Sequence, residues 1–251
     1  MSNFDRYGAT TRFGADRAVA IDEGLRAYMI RVYNYMAMGV ALTGLVAWMT
    51  FNAAVTTSPS GALVLTSFGQ MIYGGPAVLV LFLATLGMVF FLSFRIHTLQ
   101  PSTALVLFMV YAALLGLMLS SVFLAYTGTS ITRVFFISAA SFGALSLYGY
   151  TTKGDLSAIG SFLIMGVIGL LIAMVVNIFL QSTMMQFVIS CVGVLIFAGL
   201  TAYDTQKIKD MYDPMEDGTM VGRKAVMGAL TLYLDFINMF QFLLQLFGDR
   251  R

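Results

Sequence analysis

Residues Leu232–Phe240 read LYLDFINMF and lie within an apolar stretch of 23 residues, Ala225–Phe247, in which Asp235 is the sole acidic side chain. A stretch of that length crosses the ~30 Å hydrocarbon layer of a bilayer as a helix. A carboxylate near the middle of such a helix costs roughly 2.5–3.5 kcal/mol on insertion scales, so it must find a partner or a function inside the protein. At about 100° per residue, Thr231, Asp235, Asn238, Gln241 and Gln245 share one wedge of this helix, while Leu234, Ile237 and Leu244 fall elsewhere. The wedge should face a bundle interior, where polar groups can be paired, hydrated or protonated. A polar seam that does no more than hold helices together is the plain alternative.

Six further stretches of spanning length precede it, near residues 32–54, 77–94, 103–126, 132–150, 157–180 and 186–206. The composition agrees: 59% of residues are hydrophobic, 10% are charged, and the mean hydropathy is +0.86, against about 25% charged in soluble domains. The reading is an all-α, polytopic membrane protein with seven transmembrane helices. Spacers are short and turn-rich, as in Thr57-Ser58-Pro59-Ser60-Gly61 and Gly74-Gly75-Pro76. Residues 1–25 read as a polar amino-terminal tail without a cleavable signal, and 26–251 as one transmembrane domain, with Asp22 a candidate cap for the first helix. The 18 methionines and 24 glycines suit membrane packing. Cys191 has no cysteine partner in the chain and His97 is the single histidine, which leaves no histidine cluster for a metal.

Charge sets an expected orientation. With seven crossings, eleven of the 14 basic residues fall on one side: Arg6, Arg12, Arg17, Arg26, Arg31, Arg95, Lys153, Lys207, Lys209, Arg223 and Lys224. Only Arg133, Arg250 and Arg251 fall on the other. The positive-inside rule then places the amino terminus in the cytoplasm and the carboxyl terminus outside. A net charge of +2 distributed in this way is an orientation signal and gives no support to nucleic-acid binding.

The candidate partner for Asp235 is Asp204, in AYDTQKIK at the end of the sixth stretch. An exposed helix-end carboxylate followed by Lys207 and Lys209 would explain it equally well. Counting about 1.5 Å per residue from each end leaves the two acids about 5–10 Å apart in depth, a gap that helix tilt can close. Two carboxylates meeting in a poorly solvated site resist double ionisation, share a proton and titrate as a coupled pair. When ionised, they offer hard oxygen ligands to calcium, with Asn238, Thr231 or backbone carbonyls as possible further ligands.

AYDTQKIK (Ala202–Lys209) and LYLDFINMF (Leu232–Phe240), on consecutive late spans, resemble the Bax inhibitor family, the transmembrane Bax-inhibitor-motif proteins, and the likeness runs from about Arg26 to Phe247. The resemblance implies six helices around a central seventh, an aspartate dyad of Asp204 and Asp235, and a pH-sensitive calcium leak across a bacterial inner membrane. It further implies an arginine latch onto the sixth-span aspartate, for which Arg95 is the match, and a family-like Asn177 in the fifth span. Calcium enters as a permeant or bound ion, and no resident cofactor is implied.

Two other functions compete. One is a membrane-embedded regulator of another membrane protein, such as a quality-control protease. The other is an intramembrane aspartyl protease, suggested by Tyr203-Asp204. Against the latter, Leu234 stands where such enzymes need a glycine before the second aspartate, and no Pro-Ala-Leu tripeptide occurs.

Overall fold

The computed structural model describes residues 4–58, 62–96 and 98–251, with side chains from residue 22 onward. His97 and the Pro59–Gly61 part of the first loop lie outside the described residues. The chain forms α1 (Phe4–Ala54), a small antiparallel hairpin of β1 (Val55–Thr57) and β2 (Leu63–Leu65), and then α2 (Ser67–Tyr73), α3 (Pro76–Arg95) and α4 (Pro101–Leu119). It continues through α5 (Val122–Ala125), α6 (Gly128–Thr151), α7 (Ser157–Leu180), α8 (Thr183–Asp210) and α9 (Gly218–Phe247). Among the described residues seven helices are long and apolar enough to span a membrane, in α1, α3, α4–α5, α6, α7, α8 and α9.

Local chemistry fixes where these helices begin. Pro76 and Pro101 open α3 and α4, where a missing N–H leaves nothing unsatisfied. Ser182 and Asp217 cap α8 and α9 by accepting from the N–H groups of Met185 and Met220 at 3.2 and 2.7 Å. Asp22 does not play that part for α1: the helix is continuous from Phe4, so Asp22 lies inside it.

The seventh span is central. In its most apolar window 72% of the residues of α9 are buried, against 11% in α3 and in α7. Four helices pack directly on it: α1, α4, α6 and α8. The remaining two spans stand in outer positions, α3 against α4 and α7 against α8. The ring around the central helix is therefore four helices with two outriggers, a refinement of the six-around-one arrangement that the resemblance implies.

At its far end α9 is strapped to the loop before α6. Thr127 N–H donates to the Asp249 carbonyl at 3.1 Å, Arg251 N–H to the Ala125 carbonyl at 3.0 Å, and Arg133 pairs with the Asp249 carboxylate at 3.0 Å.

Candidate functional site

The packing of α8 against α9 is the most extensive helix pair in the molecule, and small residues set its register. Gly228 of α9 faces Ile208 of α8, and Gly193 of α8 faces the Phe242 ring of α9. In that antiparallel register Asp204 lies opposite the turn of Leu232, about one helical turn from Asp235. Helical side chains lean toward the amino-terminal end of their own helix. Because the helices run in opposite directions, the two aspartates lean toward each other across the seam. Asp235 is only 4% exposed, and its Oδ2 has no hydrogen-bond partner among the described residues. Asp204 is half-buried, and Lys207, three residues further along α8, is exposed.

The other expected site residues stand apart from this pair. Thr231 donates to the Met227 carbonyl at 3.1 Å and Asn238 Nδ2 to the Leu234 carbonyl at 2.8 Å, so both turn back onto their own helix. Asn177 accepts from Ser182 N–H at 3.1 Å and closes the tight turn from α7 into α8, where Gln181 adopts a left-handed conformation with φ of 49°. Arg95 is exposed at the end of α3, with no ion-pair partner among the described residues, and it does not latch Asp204 here. The reason is architectural: α3 packs on α2 and α4 and is kept away from α8. It is Arg223 that ties the neighbouring loop to α9, its Nε donating to the Leu99 carbonyl at 2.6 Å.

Most of AYDTQKIK serves as scaffold around the one acid. Gln206 grips the α6–α7 loop, its Nε2 donating to the Gly154 carbonyl at 2.8 Å and its Oε1 accepting from Leu156 N–H at 2.9 Å. Lys209 caps α6 by donating to the Tyr150 carbonyl at 3.0 Å. Thr205 donates to the Thr201 carbonyl at 2.7 Å, which leaves its oxygen to accept from Ser146 at 2.9 Å. Ser146 in turn accepts from the Tyr33 hydroxyl at 2.5 Å. Each hydroxyl has one proton, so the direction Tyr33 to Ser146 to Thr205 is fixed.

A second polar pair involves Tyr233, two residues from Asp235 along α9. Thr43 donates to the Ala112 carbonyl at 2.9 Å and so accepts from the Tyr233 hydroxyl at 2.6 Å. Tyr233 is fully buried, with Phe108 and Tyr111 edge-on at centroid distances of 5.3 and 6.0 Å. Sequence reading missed both hydroxyl networks. Their members are isolated Ser, Thr and Tyr residues in apolar runs, and the one clue was that each sits at a buried-face spacing in its helix.

A helical membrane bundle whose central span is polar, with one acid on each of the two helices of its most extensive seam, is thus in place. The chain belongs to the Bax inhibitor family: residues 25–251 match the family described as "Inhibitor of apoptosis-promoting Bax1". Bacterial relatives are close. An uncharacterised Rickettsia prowazekii protein is 47% identical over 231 residues, covering 92% of each chain. The inner membrane protein YbhL of Escherichia coli K12 is 43% identical over 240 residues, covering 94% of this chain and 97% of that one. A Caulobacter vibrioides protein is 42% identical over 253 residues, covering both chains completely.

Proposed function

We propose that the protein is a pH-sensitive calcium leak of a bacterial inner membrane, gated by Asp204 and Asp235. The observation that supports this reading is the buried Asp235 carboxyl, whose Oδ2 has no hydrogen-bond partner among the described residues, on the helix that packs most extensively against the one carrying Asp204. Two ionised carboxylates are both acceptors, so they bond only when one carries a proton. Gaining that proton turns repulsion into attraction and holds α8 against α9; losing it drives the two helices apart. Among the described residues no third His, Cys, Asp or Glu joins the pair in a metal-sized group. Calcium usually takes six to eight oxygens, so the pair suits a passing ion that keeps much of its water better than a resident one.

In calcium-loaded liposomes, wild-type flux should change with pH, and Asp235→Asn should flatten that dependence while leaving the fold intact, since Asn is nearly isosteric and cannot titrate. Asp204→Asn should do the same, with little added by the double variant, because either change breaks one coupled unit. A wild-type protein silent at every pH would overturn the leak and favour the regulator of a partner membrane protein.

We further propose that the Arg26 end of α1 faces the cytoplasm, supported by the distribution of basic residues. Reporter fusions at the two termini should give opposite locations. The same location for both would contradict the orientation and the seven crossings together.

A further inference from the structure

Helices α1 and α6 both pack on α9, yet they barely touch each other. The hydrogen bond from Tyr33 to Ser146 bridges the gap. Beside it lies a cleft of about 510 Å³. Both helices are membrane spans, so the cleft opens sideways toward lipid.

Its chemistry is divided. Along its length the walls are apolar, with Met29 and Ile30 on α1 facing Phe142 and Leu147 on α6. The hydroxyls on its floor are already committed to each other and to α8, so this part demands an apolar occupant. At one end stands Arg26, exposed and free of any ion pair among the described residues. Tyr150 lines the same end, and Lys209 Nζ lies 5.7 Å from the centre of its ring. No carboxylate lines the cleft. An occupant that satisfies both ends has an anionic head and an apolar tail. Basic pockets between transmembrane helices bind such headgroups where the helices meet the membrane surface.

We infer that the cleft between α1 and α6 binds an anionic phospholipid, its phosphate against Arg26 and one acyl chain laid between Met29 and Leu147. The site does not depend on the leak and can be tested without measuring flux.

The probe is an equal mixture of phosphatidylglycerol and phosphatidylcholine, added to purified, delipidated full-length protein, with retained lipid counted by native mass spectrometry. Wild type should retain phosphatidylglycerol in preference to phosphatidylcholine. Arg26→Gln should cut that preference about fivefold, the size expected for one basic residue at a lipid headgroup. Gly143→Leu should abolish retention of both lipids: Gly143 lines the cleft, and a Cβ there meets open space, so the new side chain fills the acyl site without a clash. Inorganic phosphate alone should not displace the lipid.

Equal retention of the two lipids by wild type would overturn the proposal, as would an unchanged preference in Arg26→Gln. Unchanged retention in Gly143→Leu would place bound lipid elsewhere and overturn it too. Displacement by phosphate would show a phosphate site with no need for the acyl chain, and the phospholipid reading would fall.

Discussion

Helices α7 and α9 cross the same membrane, and both were visible as apolar stretches, but they are built on opposite plans. α7 is the more hydropathic and has 11% of its window buried; α9 is less hydropathic and has 72% buried. In a soluble protein the order would be reversed. In a bilayer the solvent is hydrocarbon, so a helix surrounded by lipid must be apolar on every side, while a helix surrounded by protein is free to carry Asp235, Tyr233, Asn238 and Gln245. The strongest hydropathy, in α7 and α3, thus marks the rim of the bundle, whereas weak hydropathy alone does not mark its centre: the α1 and α6 spans are no more hydropathic than α9 and only 28% of their windows is buried.

The comparison can be broken most decisively at large aromatic side chains. Tyr233 is fully buried, while Phe179 on α7 is 83% exposed. Tyr233→Ala should cost about 3–5 kcal/mol of stability, the range for emptying a packed aromatic site, and it also leaves Thr43 without its donor. Phe179→Ala should change stability by under about 0.5 kcal/mol, as surface substitutions do. Unfolding of both variants in the same lipid micelles measures the contrast, and equal losses would mean that α7 is packed against protein.

A smaller effect sharpens the same point with glycine. A Cβ on Gly149 of α6 would strike the backbone of Ala202 in α8, two residues from Asp204, whereas a Cβ on Gly169 of α7 meets nothing. Gly149→Ala should therefore destabilise by about 1–3 kcal/mol through overpacking. Gly169→Ala should be neutral or stabilise by about 0.5–1 kcal/mol through better helix propensity. The same unfolding measurement decides, and a stabilising Gly149→Ala would show that α6 and α8 approach less closely than described.

Much of this was legible in the sequence. Spanning stretches stood out because hydrocarbon imposes length and apolarity together, and each span was located to within a few residues except at the ends of α1, α8 and α9. Counting depth from the edges of apolar stretches put Asp204 and Asp235 about 5–10 Å apart, and the register places them about one helical turn apart; hydropathy does not report the glycine contacts that set that register, nor that α9 starts at Gly218, well before the apolar run. Asn238 and Thr231 share the face of Asp235 as projected, but a face does not say whether a side chain reaches across to a neighbour or back to its own helix. The β1–β2 hairpin went unseen for a simpler reason: three-residue strands are too short to show a period.

The hydrogen bond from Tyr233 to Thr43 joins residues 190 positions apart. At ribosomal rates of about 5–20 residues per second, Thr43 waits roughly 10–40 s for its partner to be made. During that interval the faces of α1, α4, α6 and α8 that pack on α9 have no α9 to meet. Of the seven described spans, the one synthesised after the other six is the one around which they are arranged. Among the described spans the order of synthesis therefore runs from the outside of the bundle to its centre, since the span that the others pack around comes after the six that accompany it.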